Sequence, residues 1–182
     1  LSSRFFFFDV DLWYLTALSD IAELYRSGLH PKSGKGMKAF EELQGKKEGI
    51  KKLYDLFLAR TFLTQTPEGM RAEIDKGFWK NFFDNRYARY GGELSPVTWK
   101  ESSEGKWKMI TQVEWDSSFL APDVGWDISH ARRLVPALET FVRNWKNIKA
   151  VWSYENQAFD PIALRTAYAN QIVDKIWNGD IR

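Results

Sequence analysis

Downstream of position 133, Leu134, Leu138, Phe141, Val142 and Trp145 recur at three- and four-residue spacing. This is the pattern of a helical stripe that must be buried against another element. Asp127 stands seven residues before Leu134 and His130 four, so both prolong the stripe toward the helix N-terminus. A carboxylate and an imidazole therefore face inward, within Gly125-Trp126-Asp127-Ile128-Ser129-His130-Ala131-Arg132-Arg133. Burying such groups without partners is costly. They form either a satisfied structural pair or the floor of a polar cavity, and we favour the cavity.

Other helical patterns flank this one. The first runs from Asp11 to Ser27, with Leu15, Leu18, Ala22 and Tyr25 on one face and Gly28 as a C-terminal stop. A second spans Lys38 to Thr64 and carries Leu43, Ile50, Leu53, Tyr54, Phe57 and Leu58, with Gly45 and Gly49 weakening its first half. Thr66-Pro67-Glu68 combines a capping residue, an N1 proline and a first-turn acid, which predicts a shorter helix starting there. The stripe around Leu134 predicts a helix from Asp127 to Trp145, bent at Pro136. Asp160-Pro161 opens the last helix, with Ile162, Ala169, Ile172, Val173 and Ile176 inside and Asn178-Gly179 at its end.

Phe78 to Asp123 shows no helical period, although Trp107 to Trp115 alternates enough for a strand. So long a connector is functional or disordered, and its aromatics argue against disorder. Phe8-Asp9, Trp126-Asp127 and Phe159-Asp160 each put an aromatic and an Asp at a helix entrance. That is either a weak internal repeat or the ordinary use of Asp as a cap with a hydrophobic staple before it. The fold class expected is mainly all-α: one helical domain over residues 1–182, with a long aromatic loop region and room for short strands.

Composition narrows function by exclusion. The 182 residues carry a formal charge of +2, with acids and bases mixed, so no basic block points to nucleic acid. There is no cysteine, which excludes disulfides and thiolate metal sites, and only His30 and His130 supply imidazoles. A calcium site from Asp and backbone oxygens stays open; otherwise no cofactor is expected. No P-loop, dinucleotide fingerprint or nucleophile elbow occurs. No apolar run reaches membrane-spanning length, and Phe5 to Phe8 is too short for a signal-peptide core, so the chain reads as soluble. Its start without methionine suggests a processed form or a piece of a longer chain. Nine Trp, thirteen Phe and seven Tyr make up 16% of the residues, and many of them must be core, because aromatic rings carry large burial energies. Trp79, Trp99, Trp107, Trp115, Trp126 and Trp152 lie in or beside turn-like stretches, where rings either stack on ligands or pack under loops.

Several segments carry a resemblance. The helix from Asp11, the run Leu53-Tyr54-Asp55-Leu56-Phe57, the aromatic turn Phe78-Trp79 to Tyr90-Gly91-Gly92, and Trp126-Asp127-Ile128-Ser129-His130 follow one another in an order that resembles the helical hairpins of (α/α) toroid carbohydrate-active enzymes. Ala169-Asn170-Gln171-Ile172-Val173 to Trp177-Asn178-Gly179-Asp180 is similar to a segment of polysaccharide-lyase-like members. A full toroid is longer, so the resemblance implies a partial barrel, a fragment or half of an assembly. It also implies a secreted or periplasmic protein handling a poly- or oligosaccharide in an aromatic cleft, with no membrane partner.

The activity so implied is beta-elimination of a uronic-acid glycan, in which a His or Tyr removes the proton alpha to the carboxylate while Arg, Asn or Gln neutralises that group. His130 would be the base or carboxylate partner, with Asp127 orienting it and Tyr154 a further catalytic candidate. Arg132, Arg133, Trp126, Asn156 and Trp115 would hold substrate. A hydrolase of the same fold would need two carboxylates, for which Asp127, Asp123, Asp116 and Glu155 are available. A non-catalytic glycan- or protein-binding helical module is the reading from another class.

Overall fold

The computed structural model describes residues 7–75, 98–101, 103–110, 125–126 and 131–175. The described residues are mainly helical. The chain divides into two compact units, Ser3–Asp75 with Trp126–Arg182, and Lys76–Gly125.

In the first unit, helix α1 spans Asp9–Arg26. It starts two residues before the expected position because the Asp11 carboxylate accepts the Phe8 N–H at 2.8 Å, satisfying a donor at the helix entrance. Leu12, Leu15, Ser19 and Ala22 form its buried face, and Gly28 follows the helix in the left-handed region at φ +75°. The expected single helix from Lys38 is two, α2 (Gly34–Gly45) and α3 (Lys47–Ala59), broken at Lys46. Gly45 stands at the break, where helix propensity is weakest.

Beyond Arg60 the sequence reading is corrected. Thr61–Thr66 (β1) and Gly69–Ile74 (β2) form an antiparallel hairpin, not the end of one helix and the start of another. Thr66-Pro67-Glu68 suits a helix entrance, but proline's fixed φ suits a tight turn equally. Two features decide for the turn. Gly69 at φ +135° takes a conformation closed to other residues, and Ala72 and Ile74 are buried while Arg71 and Glu73, alternating with them, are only half-buried.

Helix α4 spans Leu134–Trp152, seven residues beyond the expected end, and closes at Ser153 with φ +54°. Ala131 is helical and Arg132-Arg133 form a turn before it; residues 127–130, where the reading began this helix, lie outside the described residues. Pro136 is the third residue of α4, in the first turn, where backbone N–H groups have no partner within the helix. The helical run is interrupted at Arg132-Arg133, next to the carbonyl of residue 132 to which Pro136 cannot donate. Helix α5 spans Pro161–Lys175, capped as expected: Asp160 Oδ1 accepts the N–H groups of Ile162 and Ala163 at 3.0 and 3.1 Å. Its phase differs from the expected one. Pro161, Leu164, Ala167 and Tyr168 are buried, whereas Ile162, Ala169 and Val173 are exposed; Ile172 is half-buried, and Ile176 lies outside the described residues.

Contacts fix the helix directions. Asp9 pairs with Arg133, Asp20 with Arg143 and Asn144, so α1 and α4 run parallel side by side. Phe7 meets Phe57, Ser19 meets Tyr54 and Tyr25 stacks on Phe40, so the segment from α2 to α3 runs antiparallel to α1. Trp145 stacks on Phe159 while Glu139 binds Arg165, so α4 and α5 are antiparallel as well. Two helical hairpins thus lie side by side. An aromatic core joins them: Phe57 contacts Phe7, Phe141, Phe159 and Tyr168 with centroids 5.2–6.4 Å apart. Burying each such ring contributes about 1.5–3 kcal/mol. The β-hairpin lies along α5, tied by Asn170 Nδ2 to the Met70 carbonyl at 2.9 Å and by Thr61 to Tyr168 at 2.9 Å between hydroxyls.

In the second unit, β3 (Thr98–Glu101) and β4 (Trp107–Ile110) form an antiparallel hairpin with Trp99 opposite Met109. Of the strand expected over Trp107 to Trp115, Trp107–Ile110 is present and residues 111–115 lie outside the described residues. Gly105, at φ +71°, lies in the turn. No helix of the described residues is long and apolar enough to cross a membrane.

Candidate functional site

Ser153, in the left-handed conformation after α4, turns the chain back across α3. The next residues then reach Asp55, which the apolar neighbours Tyr54 and Phe57 orient outward by filling the core. Tyr154 Oη donates to Asp55 Oδ1 at 2.9 Å, and Asn156 Nδ2 donates to the same oxygen at 2.9 Å. Asn156 is itself held by the Ala158 N–H, which donates to its Oδ1 at 3.0 Å. A carboxylate has about four acceptor positions, so two donors on one oxygen leave it able to take further hydroxyl or amide groups.

The Tyr154 ring is buried between Tyr54, Trp145 and Phe159. Burial, then the hydrogen bond to Asp55 and its charge, push the Tyr154 phenol well above its ordinary range. It stays protonated at neutral pH, the opposite of what a proton-abstracting phenolate needs, so the arrangement makes Tyr154 a donor that positions Asp55. Trp145 is half-buried against Tyr154, and the Lys149 ammonium lies 5.6 Å from its ring centroid. The neighbourhood thus combines a fixed carboxylate, an amide and a cation resting on an indole.

The other expected site residues are dispersed. Arg133 pairs with Asp9 across α1 and α4, and Arg132 is exposed in the turn. Trp126 is half-buried: its backbone N–H donates to the Ile74 carbonyl at 3.2 Å and its ring stacks on Phe7 at 6.1 Å, which makes it part of the packing around the core. Glu155 is exposed beside the cluster. Asp127, His130, Trp115, Asp116 and Asp123 lie outside the described residues. Among the described residues no group of three or more His, Asp or Glu is placed to hold a metal ion.

Sequence reasoning missed Asp55 as the residue on which Tyr154 and Asn156 converge, because 99 and 101 residues separate the partners. The available signal was one acid inside the apolar run Leu53 to Leu58. It also missed Asp75, which is buried, accepts the Phe7 N–H at 2.9 Å and pairs with Arg60. Comparison with family models, with curated proteins and with solved structures finds no match to this chain.

Proposed function

We propose that the chain handles carbohydrate and holds a glycan at Asp55 and Asn156, with Lys149, which rests on the Trp145 ring, as a partner for uronic-acid groups. The observation that carries this reading is the convergence of Tyr154 and Asn156 on one oxygen of the exposed Asp55. A pre-oriented carboxylate beside an amide matches the hydroxyl groups of a sugar ring, and the half-buried Trp145 is the aromatic ring nearby with surface left for an apolar face. Recognition is what this cluster supplies. The enzymatic form of the reading, a polysaccharide lyase of (α/α) toroid type, gives proton abstraction to His130 with Asp127 orienting it, since Tyr154 is held protonated.

The test is calorimetric titration against uronic-acid and neutral oligosaccharides, with Asp55→Ala and Asn156→Ala. A lost hydrogen bond to a charged group is worth about 1.5–3 kcal/mol, so Asp55→Ala weakens binding about 10- to 100-fold. Binding of the same strength in Asp55→Ala, with circular dichroism unchanged, refutes the site. Ultraviolet absorbance of the unsaturated product, lost in His130→Ala, separates lyase from binding module.

A further inference from the structure

Helix α1 is apolar on two opposite sides. Leu12, Leu15 and Ala22 fill the core, while Val10, Trp13, Tyr14, Ala17 and Leu24 form a second stripe, also at helical spacing, on the side away from it, with Ile21 partly buried at its edge. Val10 is 53% exposed, Trp13 55%, Tyr14 61% and Leu24 48%. A surface helix ordinarily carries one apolar stripe, and a contiguous exposed one marks an interaction surface.

We propose that this face is covered by the same face of a second copy, the two α1 helices antiparallel with a two-fold axis at Ala17. This goes beyond the glycan reading and does not depend on it. Ala17 lies seven residues from both Val10 and Leu24, and four from both Trp13 and Ile21. Antiparallel packing about it places Val10 against the partner's Leu24, Tyr14 against the partner's Ile21, and alanine against alanine at the crossing. The small residue there lets the helix axes approach to the usual 8–10 Å or so. Trp13 falls beside the partner's Asp20, giving its indole N–H a carboxylate acceptor; Asp20 is half exposed and already oriented by Arg143 and Asn144. The antiparallel arrangement also opposes the two helix dipoles.

The four half-exposed side chains Val10, Trp13, Tyr14 and Leu24, with Ala17 between them, bury roughly 1,000 Å² in total over two copies, the low end for a specific interface. The exposed stripe of α5, Ile162, Ala169 and Val173, is shorter and lacks the Trp and Tyr on which interface cores are built.

Light scattering of the full chain across a concentration series is expected to move from 21.3 kDa toward twice that mass. Ala17→Arg, at an exposed position with good helix propensity, is expected to stay at 21.3 kDa with unchanged circular dichroism. The chain lacks cysteine, so Ala17→Cys cross-links to itself on oxidation. Val10→Cys cross-links only when mixed with Leu24→Cys. A chain that stays monomeric up to its solubility limit overturns the proposal, as does a dimer that Ala17→Arg leaves intact. Val10→Cys cross-linking alone overturns the antiparallel register.

Discussion

Asp75 concentrates three constraints in one residue, and a substitution series separates them. It closes the β1–β2 hairpin at φ +57°, its N–H donates to the Arg60 carbonyl at 2.8 Å, and its buried carboxylate accepts the Phe7 N–H and the Arg60 guanidinium. Asp75→Ala removes the acceptor of a buried N–H, costing about 1–3 kcal/mol, and places a Cβ without side-chain compensation in the left-handed region, costing about 1–2 more. Arg60 is partly exposed and turns to water, adding little. The expected loss is about 3–4 kcal/mol, a large share of the 5–15 or so available to a typical domain. Asp75→Gly removes the backbone penalty and is expected to lose about 2 kcal/mol. Asp75→Asn keeps both the conformation and the acceptor and stays within about 1 kcal/mol of the parent. Burial pushes the Asp75 carboxyl up, against the pull of Arg60 and the Phe7 N–H. The folded chain therefore holds this proton to a higher pH than the unfolded one, whose carboxyl titrates near about 3.9. Ionising it costs the folded state nothing below that value and the full penalty above the folded pKa. Asp75→Asn should thus match the parent in acid and gain on it as pH rises to neutrality. Urea unfolding followed by tryptophan fluorescence at several pH values gives the whole series; for Asp75→Ala the midpoint should fall by roughly 1.5 M. Asp75→Asn as damaging as Asp75→Ala at neutral pH would refute this reasoning, because the Arg60 ion pair would then outweigh both the acceptor and the backbone conformation.

Gly69 sits at φ +135°, and a Cβ there would lie 3.2 Å from Asn170 Nδ2, so Gly69→Ala is expected to cost about 1–3 kcal/mol and to lower the melting temperature by several degrees. Gly28→Ala, at φ +75° with open space around it, pays only the backbone penalty of about 1–2 kcal/mol, and a calorimetric melt of the two side by side checks the ranking. Asp160→Ala loses the acceptor for the Ile162 and Ala163 N–H groups and should cost about 1 kcal/mol, with hydrogen exchange faster in the first turn of α5.

The helices were legible where two local signals agreed. Asp160-Pro161 gave α5 its cap and start together, and the spacing of Leu15 and Ala22 gave α1 its buried face. The reading failed where one local pattern serves two structures. Thr66-Pro67-Glu68 is both a helix entrance and a turn, and Gly69 with the alternation of Met70, Ala72 and Ile74 after it distinguishes them. The phase of α5 was read from Ile162, Ala169 and Val173, yet Leu164 and Tyr168 on the opposite side are equally apolar and are the ones that meet the core. Tyr154 and Asn156 were legible as candidates, but not their convergence on Asp55. That depends on two hairpins packing side by side, a relation between distant segments that no local pattern encodes.

That dependence makes Ser153 the lever on the proposed site. At φ +54° it reverses the chain after α4, and the direction of that reversal carries Tyr154 onto Asp55 two residues before Asn156 arrives. Ser153→Val puts a β-branched side chain in the left-handed region and costs about 2 kcal/mol if the turn is kept. The loop relieves that cost by rotating, which withdraws both donors from Asp55. Ser153→Gly accepts the same φ without strain. The expected outcome is a valine variant that keeps its helical circular dichroism but binds an acidic oligosaccharide about tenfold more weakly or worse, beside a glycine variant that binds like the parent. Binding unchanged in the valine variant would mean that the carboxylate needs no fixing by Tyr154 and Asn156. The convergence of those two residues would then be a feature of packing alone, and the glycan reading would lose the observation on which it stands.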